Sequence, residues 1–486
     1  MGSVGKRGKD AGSGVVDMSH REVGALAPRV FSHRAAASSN LVLRLGIHRT
    51  LDKHRGCVNT VSFNADGSIL VSGSDDRMIM LWDWELGLVK QSFHSGHMNN
   101  VFQAKFMPYT DDRTMVTCAA DGEVRLAQLK DGRHVATKAL ARHEGRAHKI
   151  AIEPGSPHIL YSCGEDGLVH HFDLRTQTAT KLFKCKAFKD KSDYMPIVHL
   201  HSIAIDPMNP HRFAVAGSDE YARVYDIRKC RWDGKACGDP ADCFCPSHLI
   251  GDEQVGITGL AFSNQSELLA SYTIERIYLF SKDQGLGADP DSATPTSAED
   301  PNTGNEQQQQ VYTGHRNCAT VKGVSFFGPN CEYVTSGSDC GRVFIWKKAD
   351  GELLRVMEGD KHVVNCIEAN PFATMLASCG IEKDIKIWIP NSKEPASPVN
   401  IDEVMMHEGI TFFSGDDLDD EDDDDDDDDD DGDDNDLIDF LDIDVWSNND
   451  FSDGDFDEEN DEENDEDDDD GGGESDSAVN DFHAAQ

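Results

Sequence analysis

The sequence predicts an all-β chain folded as a seven-bladed β-propeller, with a disordered N-terminal segment before it and an acidic disordered tail after it. Three observations carry this. A block of short strands recurs seven times, its turns hold the Asn, Asp and Gly residues that tight turns need, and nearly half of all acidic residues fall in the last fifth of the chain.

The charge sets the domain boundaries. Among 486 residues there are 90 Asp and Glu against 45 Lys and Arg, a net charge of −45. Residues 394–486 hold 43 of the acids and no Lys or Arg, which leaves residues 1–393 with 47 acids against 45 bases. A nearly neutral body thus bears a strongly acidic appendage. The expected divisions are an N-terminal segment over 1–40, the propeller over 41–393 and the tail over 394–486. No apolar stretch follows Lys6, Arg7 and Lys9, so the start does not read as a secretory signal. No run of 18 apolar residues occurs, so no ordinary membrane span and no membrane partner are expected. Thirteen cysteines sit largely where a strand takes a small residue, as at Cys118, Cys163, Cys366 and Cys379. They read as reduced thiols of a nuclear and cytoplasmic protein rather than as a disulfide framework.

The repeat unit is plainest at 54–83. Strands are expected over 57–63, 69–73 and 78–82, joined by the turns Asn64-Ala-Asp-Gly and Ser74-Asp-Asp-Arg, and a fourth over 89–93 leads to the next His at 97. The pattern ends in turn at Trp82, Ala127, Phe172, Tyr225, Phe280, Trp346 and Trp388, with intervals of 45, 45, 53, 55, 66 and 42 residues. Insertions at 229–247 and 282–310 lengthen the later intervals. A strand at 41–47 is placed to complete the last blade and close the ring, which leaves no long sheet edge exposed. Several repeats are degraded: Ala127 stands for the usual Trp, and Ile274 and Cys340 stand where a turn Asp is expected.

These repeats resemble WD40 repeats, on the strength of His54, Ser72, Asp76 and Trp82. The resemblance implies that these four link loop, strands and turn by hydrogen bonds within a blade, with Asp166, Asp219, Trp346 and Trp388 in matching positions of other blades. His97, His315 and His362 occupy the same position as His54, and His143 and His148 compete for it in the third repeat.

Two consecutive repeats end alike, in Phe172-Asp173-Leu174-Arg175 and Tyr225-Asp226-Ile227-Arg228. Alternation along a strand puts each Asp and its Arg on one side, so the carboxylate can fix the guanidinium for planar, multi-donor contact with a partner. The plainer reading is a local rim salt bridge of little energy. The motif resembles that of WD40 substrate receptors docking to the adaptor of cullin-4 RING ubiquitin ligases. The blocks GCVNTVSFN (56–64), SGHMNNVFQAKF (95–106), LLASY (268–272), GHRNCATVKGV (314–324), SGSDCG (336–341) and MEGDK (357–361) also look like the cullin-4-associated factors. Such a receptor is expected to bind the adaptor, and through it cullin-4, by Asp173, Arg175, Asp226 and Arg228, and to present target proteins for ubiquitination.

Before the propeller, Asp17 is placed to cap a short helix ended by Gly24 or Pro28. Receptors of this type use such a helix as a second adaptor contact; a helix packed on the propeller's side is the other reading. Cys230, Cys237, Cys243, Cys245 and His248 tempt a zinc assignment, but no Cys-x-x-Cys pair exists among them, and a thiol-bearing loop is the simpler reading. No phosphate loop, nucleophile elbow or carboxylate pair stands out, so neither a catalytic site nor a cofactor or metal is expected.

The tail's run at 421–431 is almost wholly carboxylate and repels itself into an expanded chain. It is either a solubilising segment or a partner-binding one. In favour of the second, Leu437, Phe440, Leu441 and Trp446 interrupt the acid as a short segment suited to a partner's groove. Histones or other basic proteins suit the flanking charge, whereas direct nucleic-acid binding is disfavoured by its sign. A chromatin-associated histone-binding scaffold is therefore the alternative to the ligase receptor.

Overall fold

The computed structural model describes residues 13–130, 134–188, 196–230, 239–290, 309–399, 401 and 404. The tail residues Leu437, Phe440, Leu441 and Trp446, and also Cys237, lie outside the described residues.

Seven four-stranded antiparallel sheets form a seven-bladed propeller. Six blades take four consecutive strands; the seventh joins Val364–Ala369, Leu376–Gly380 and Ile385–Pro390 to the strand Leu45–Leu51. Leu45 pairs with Pro390 and Leu51 with Ile385, so the two ends of the ring share one sheet. This closing strand lies four residues later than the 41–47 the sequence suggests. The physical reason is Ser39–Val42, a single helical turn that drops Val42 and Leu45 into the seam between blades six and seven.

Hydrophobic cohesion lies between blades. Seven clusters of buried apolar residues fill the seams, each drawing on two neighbouring blades. Val71 and Ile79 of blade one meet Val101 and Met115 of blade two, for example. Because each blade leans on the next through removal of apolar surface from water, closing the ring stabilises every member.

The two insertions are not wholly loops. Asp242–Phe244, inside 229–247, is the outermost strand of blade four, and Gln310–Tyr312 is that of blade five. Cys243 and Cys245 are buried in the seam between blades four and five, and His248 Nε2 contacts Tyr278 Oη at 3.1 Å, which accounts for three of the five residues weighed as zinc ligands. Cys230 is disulfide-bonded, against the expectation of reduced thiols; among the described residues the eleven other cysteines are free.

More helix precedes the propeller than the one short helix expected: Ser13–Glu22, Pro28–Ala36 and Ser39–Val42. Asp17 does not cap the first of these. It sits mid-helix and binds Arg34 Nη1 of the second at 2.9 Å, clamping the two together. After the last strand, the chain stays on the propeller beyond 394: Ala396 N donates to Leu43 O at 2.9 Å, and Val404 packs against the seam between blades five and six. Among the described residues no helix is long and apolar enough to cross a membrane.

Candidate functional site

The polar networks that shape each blade come first, because they separate structural residues from free ones. In blade one, Trp82 Nε1 donates to Ser72 Oγ (2.8 Å), Ser72 Oγ contacts His54 Nε2 (2.7 Å), and His54 Nδ1 contacts Asp76 Oδ2 (2.9 Å). Blade two keeps His97, Thr117 and Asp121 in the same relay, and Ala127 removes the indole. In blade three it is His143, not His148, that joins Ser162 and Asp166. His148 instead binds Glu165 at 3.0 Å. Burial pushes the Asp166 carboxyl up, but hydrogen bonds from His143 and two backbone amides prevail and hold it down to about 2.

The remaining blades depart from this scheme. Asp219 meets no histidine but a buried arginine, Arg223, at 2.5 and 2.8 Å. In blade five, Asn317 Nδ2 reaches Thr258, Ser271 and the Tyr272 carbonyl, while Ile274 takes the turn with a φ of 62°. Trp346 Nε1 donates to the Thr313 carbonyl, and Trp388 Nε1 to Ser378. Two histidines expected to be structural bonds are not. His315 is buried without a hydrogen-bond partner among the described residues, and His362 is exposed, 3.9 Å from Glu382.

The two Asp-x-Arg segments stand apart from these networks. Each begins on the last residue of a blade's third strand, Leu168–Asp173 and Ala222–Asp226. Third strands of all blades run the same way, so both segments lie on one rim. The residue between Asp and Arg is the anchor: Leu174 N donates to His158 O at 2.9 Å and Ile227 N to His211 O at 2.8 Å, and both side chains pack on seam clusters. With the middle residue held, Asp and Arg turn outward together.

Arg175 donates through Nε and Nη2 to Asp173 at 3.0 and 2.8 Å, and its backbone N–H adds a third bond at 3.0 Å. Arg228 repeats this on Asp226 at 2.9, 2.5 and 3.0 Å. The arginine side chains are 61% and 65% exposed. These bonds hold each Asp carboxyl down to about 2 and raise both guanidinium groups further above their usual value. Both Nη1 groups stay unengaged among the described residues. Blade six carries Lys347 and Lys348 at the positions of the Asp and the middle residue, spent on Glu352 and on Glu267 (2.8 Å), and Ala349 stands where the arginine would. Two neighbouring blades therefore present fixed, outward guanidinium planes.

Sequence reasoning missed the apolar side chains that share their face of the propeller. First and third strands end on the same face, so the loops after them share it. Tyr109 (78% exposed), Met208 and Phe372 occupy the loops after the first strands of blades two, four and seven, Leu86 lies in the loop after blade one's third strand, and Leu88 opens the strand that follows. Apolar side chains at loop tips carry no periodic signal, which is why the pattern was silent on them.

The first helix also offers an apolar surface: Val15, Val16 and Met18 are exposed. The family model for WD40 repeats (WD domain, G-beta repeat) matches residues 46–83, 306–347 and 351–388. Similar proteins include "Protein ALTERED SEED GERMINATION 2" of Arabidopsis thaliana, 34% identical over 281 residues, which cover 51% of this chain and 37% of that protein. The "DDB1- and CUL4-associated factor 6" of Mus musculus is 32% identical over 274 residues, 54% of this chain and 31% of its own. The "WD and tetratricopeptide repeats protein 1" of Mus musculus is 33% identical over 215 residues, 44% and 31% respectively. The chain thus spans about a third of the length of the curated relatives it matches.

Proposed function

We propose that this chain is a substrate-recognition subunit of a cullin-4 RING ubiquitin ligase, docking to the ligase adaptor and presenting target proteins for ubiquitination. The observation that carries the reading is the pair of braced arginines, Arg175 and Arg228, exposed on one rim of adjacent blades. Asp173 and Asp226 orient them and compete for only part of each guanidinium, leaving Nη1 for the adaptor. The relative whose name couples it with DDB1 and CUL4 supports the same reading. Within that series of factors, the blocks at 95–106 and 314–324 read most like the eighth member. The helix Ser13–Glu22 is the second adaptor contact in this scheme, through Val15, Val16 and Met18. The subunit supplies no catalytic group of its own, and the face opposite the arginines is left for the substrate.

Affinity purification of the tagged full chain followed by mass spectrometry tests this. Cullin-4 and its adaptor are expected at high yield, and Arg175→Ala with Arg228→Ala is expected to lose both. Undiminished recovery with the double variant overturns the docking assignment. A second reading, a histone-binding scaffold, is favoured by the 43 acidic residues of 394–486. Deleting 415–486 would then abolish histone binding while sparing the adaptor.

A further inference from the structure

In blade seven, Cys366 on the innermost strand and Cys379 on the next are direct register partners of an antiparallel ladder. Residues so opposed have Cα atoms about 4.5–5.5 Å apart and project to the same face of the sheet. That separation falls within the roughly 4.4–6.8 Å over which a disulfide closes without backbone movement. No other two cysteines among the described residues are register partners: Cys118 faces Gln103, Cys163 faces Lys149, and Cys243 faces Arg223. Both thiols are free.

The surroundings favour reaction at one of the two. Cys379 is fully buried, whereas Cys366 keeps some exposure and touches the Val61 carbonyl of blade one at 3.8 Å. At Cys366 the neighbouring Cys379 thiol, with the positive charges of Lys149 and Lys105, outweighs burial and lowers the pKa, while burial raises that of Cys379. Glu368 is the acid facing the same two lysines, and burial pushes its carboxyl up to about 7, which blunts its opposition to them.

We propose that Cys366 and Cys379 form a reversible disulfide on exposure to hydrogen peroxide, with Cys366 as the attacking thiolate and Cys379 as the resolving thiol. In the first step the Cys366 sulfur attacks one peroxide oxygen; an S–O bond forms, the O–O bond breaks, and the departing hydroxide takes a proton to leave as water. In the second, the Cys379 sulfur attacks the sulfenic sulfur. The S–S bond forms, the S–O bond breaks, and the hydroxyl leaves as a second water with the Cys379 proton. Two thiols are oxidised by two electrons and one peroxide is reduced to two waters.

The test treats the reduced full chain with hydrogen peroxide, alkylates the remaining thiols, and digests it without reductant for peptide mass spectrometry. The expected result is a peptide pair joined through Cys366 and Cys379, two hydrogens lighter than the separate thiols and released by dithiothreitol. With Cys366→Ser the joined pair is lost. With Cys379→Ser the reaction stops at a Cys366 sulfenic acid, captured by dimedone. Cys318, the exposed thiol, serves as internal reference. Separately alkylated Cys366 and Cys379 peptides at peroxide levels that oxidise Cys318 overturn the proposal, and this wild-type readout does not depend on how the variants fold.

Discussion

Arg228 donates to both carboxylate oxygens of Asp226, Nε to Oδ1 at 2.9 Å and to Oδ2 at 3.2 Å and Nη2 to Oδ2 at 2.5 Å, yet the arginine remains mostly in solvent. An exposed pair of this kind adds little to folding. What it provides is direction. The carboxylate fixes the plane of the guanidinium before any partner arrives, so less side-chain freedom is lost on binding. Asp173 does the same for Arg175 one blade earlier.

In the proposed docking scheme, apolar residues on the arginine face add contact area for the adaptor. Phe372→Asp and Tyr109→Asp are expected to weaken adaptor binding about tenfold or more, the usual cost of spoiling a buried aromatic anchor. Met98→Asp, on the opposite face, is expected to leave it unchanged. Both outcomes are read from binding isotherms with purified adaptor, alongside thermal melts that should match wild type because all three side chains are exposed.

Ser72 is the shared acceptor and donor of blade one. Ser72→Ala strands Trp82 Nε1 and His54 Nε2 in the interior, at about 1–3 kcal/mol for each unsatisfied group. Thr117→Val in blade two strands only His97 Nε2, since Ala127 replaces the indole there. Denaturant titration should rank Ser72→Ala as the more destabilising of the two.

Acid sensitivity should trace in part to His315. Burial, reinforced by Lys322 and opposed by Asp339, lowers its pKa to about 4 from a usual value near 6.5. The unfolded chain therefore takes up this proton first, and the contribution to stability, complete above pH 6.5, falls away as the pH drops toward 4. Near pH 5.5 the loss is about 1 kcal/mol. In His315→Leu this part of the decline should vanish, narrowing the gap in unfolding free energy between pH 7.5 and pH 5.5 by that amount. An unchanged gap contradicts the assignment.

The ring was legible because strand alternation and turn chemistry are local: Trp82, Ala127, Phe172, Tyr225, Phe280, Trp346 and Trp388 each lie on a third strand, within two residues of its end. The shared rim of the two Asp-x-Arg segments follows from strand direction, but strand alternation does not pair them: each strand ends on its Asp, and the Arg lies in the turn beyond, its backbone N–H bonded to that Asp. Residues set by long-range geometry were not legible. His143 and His148 are equivalent by spacing, and only the position of Asp166 separates them. The strand Asp242–Phe244 hides in a Cys- and Pro-containing insertion because a three-residue strand has no alternation to read. Asp17 resembles a cap in sequence, but its partner Arg34 lies a helix away.

The most direct measurement is the affinity of the purified chain for purified adaptor, as wild type, as Arg175→Ala/Arg228→Ala and as Arg175→Lys/Arg228→Lys. The account predicts that the alanine pair loses binding by a hundredfold or more while its circular dichroism spectrum and melting temperature stay those of wild type. The lysine pair should recover little, because an ammonium cannot hold its Asp and the adaptor in one plane, so roughly tenfold weakening or worse is expected. Wild-type affinity in the alanine pair would contradict the claim that these two guanidinium groups are the docking site.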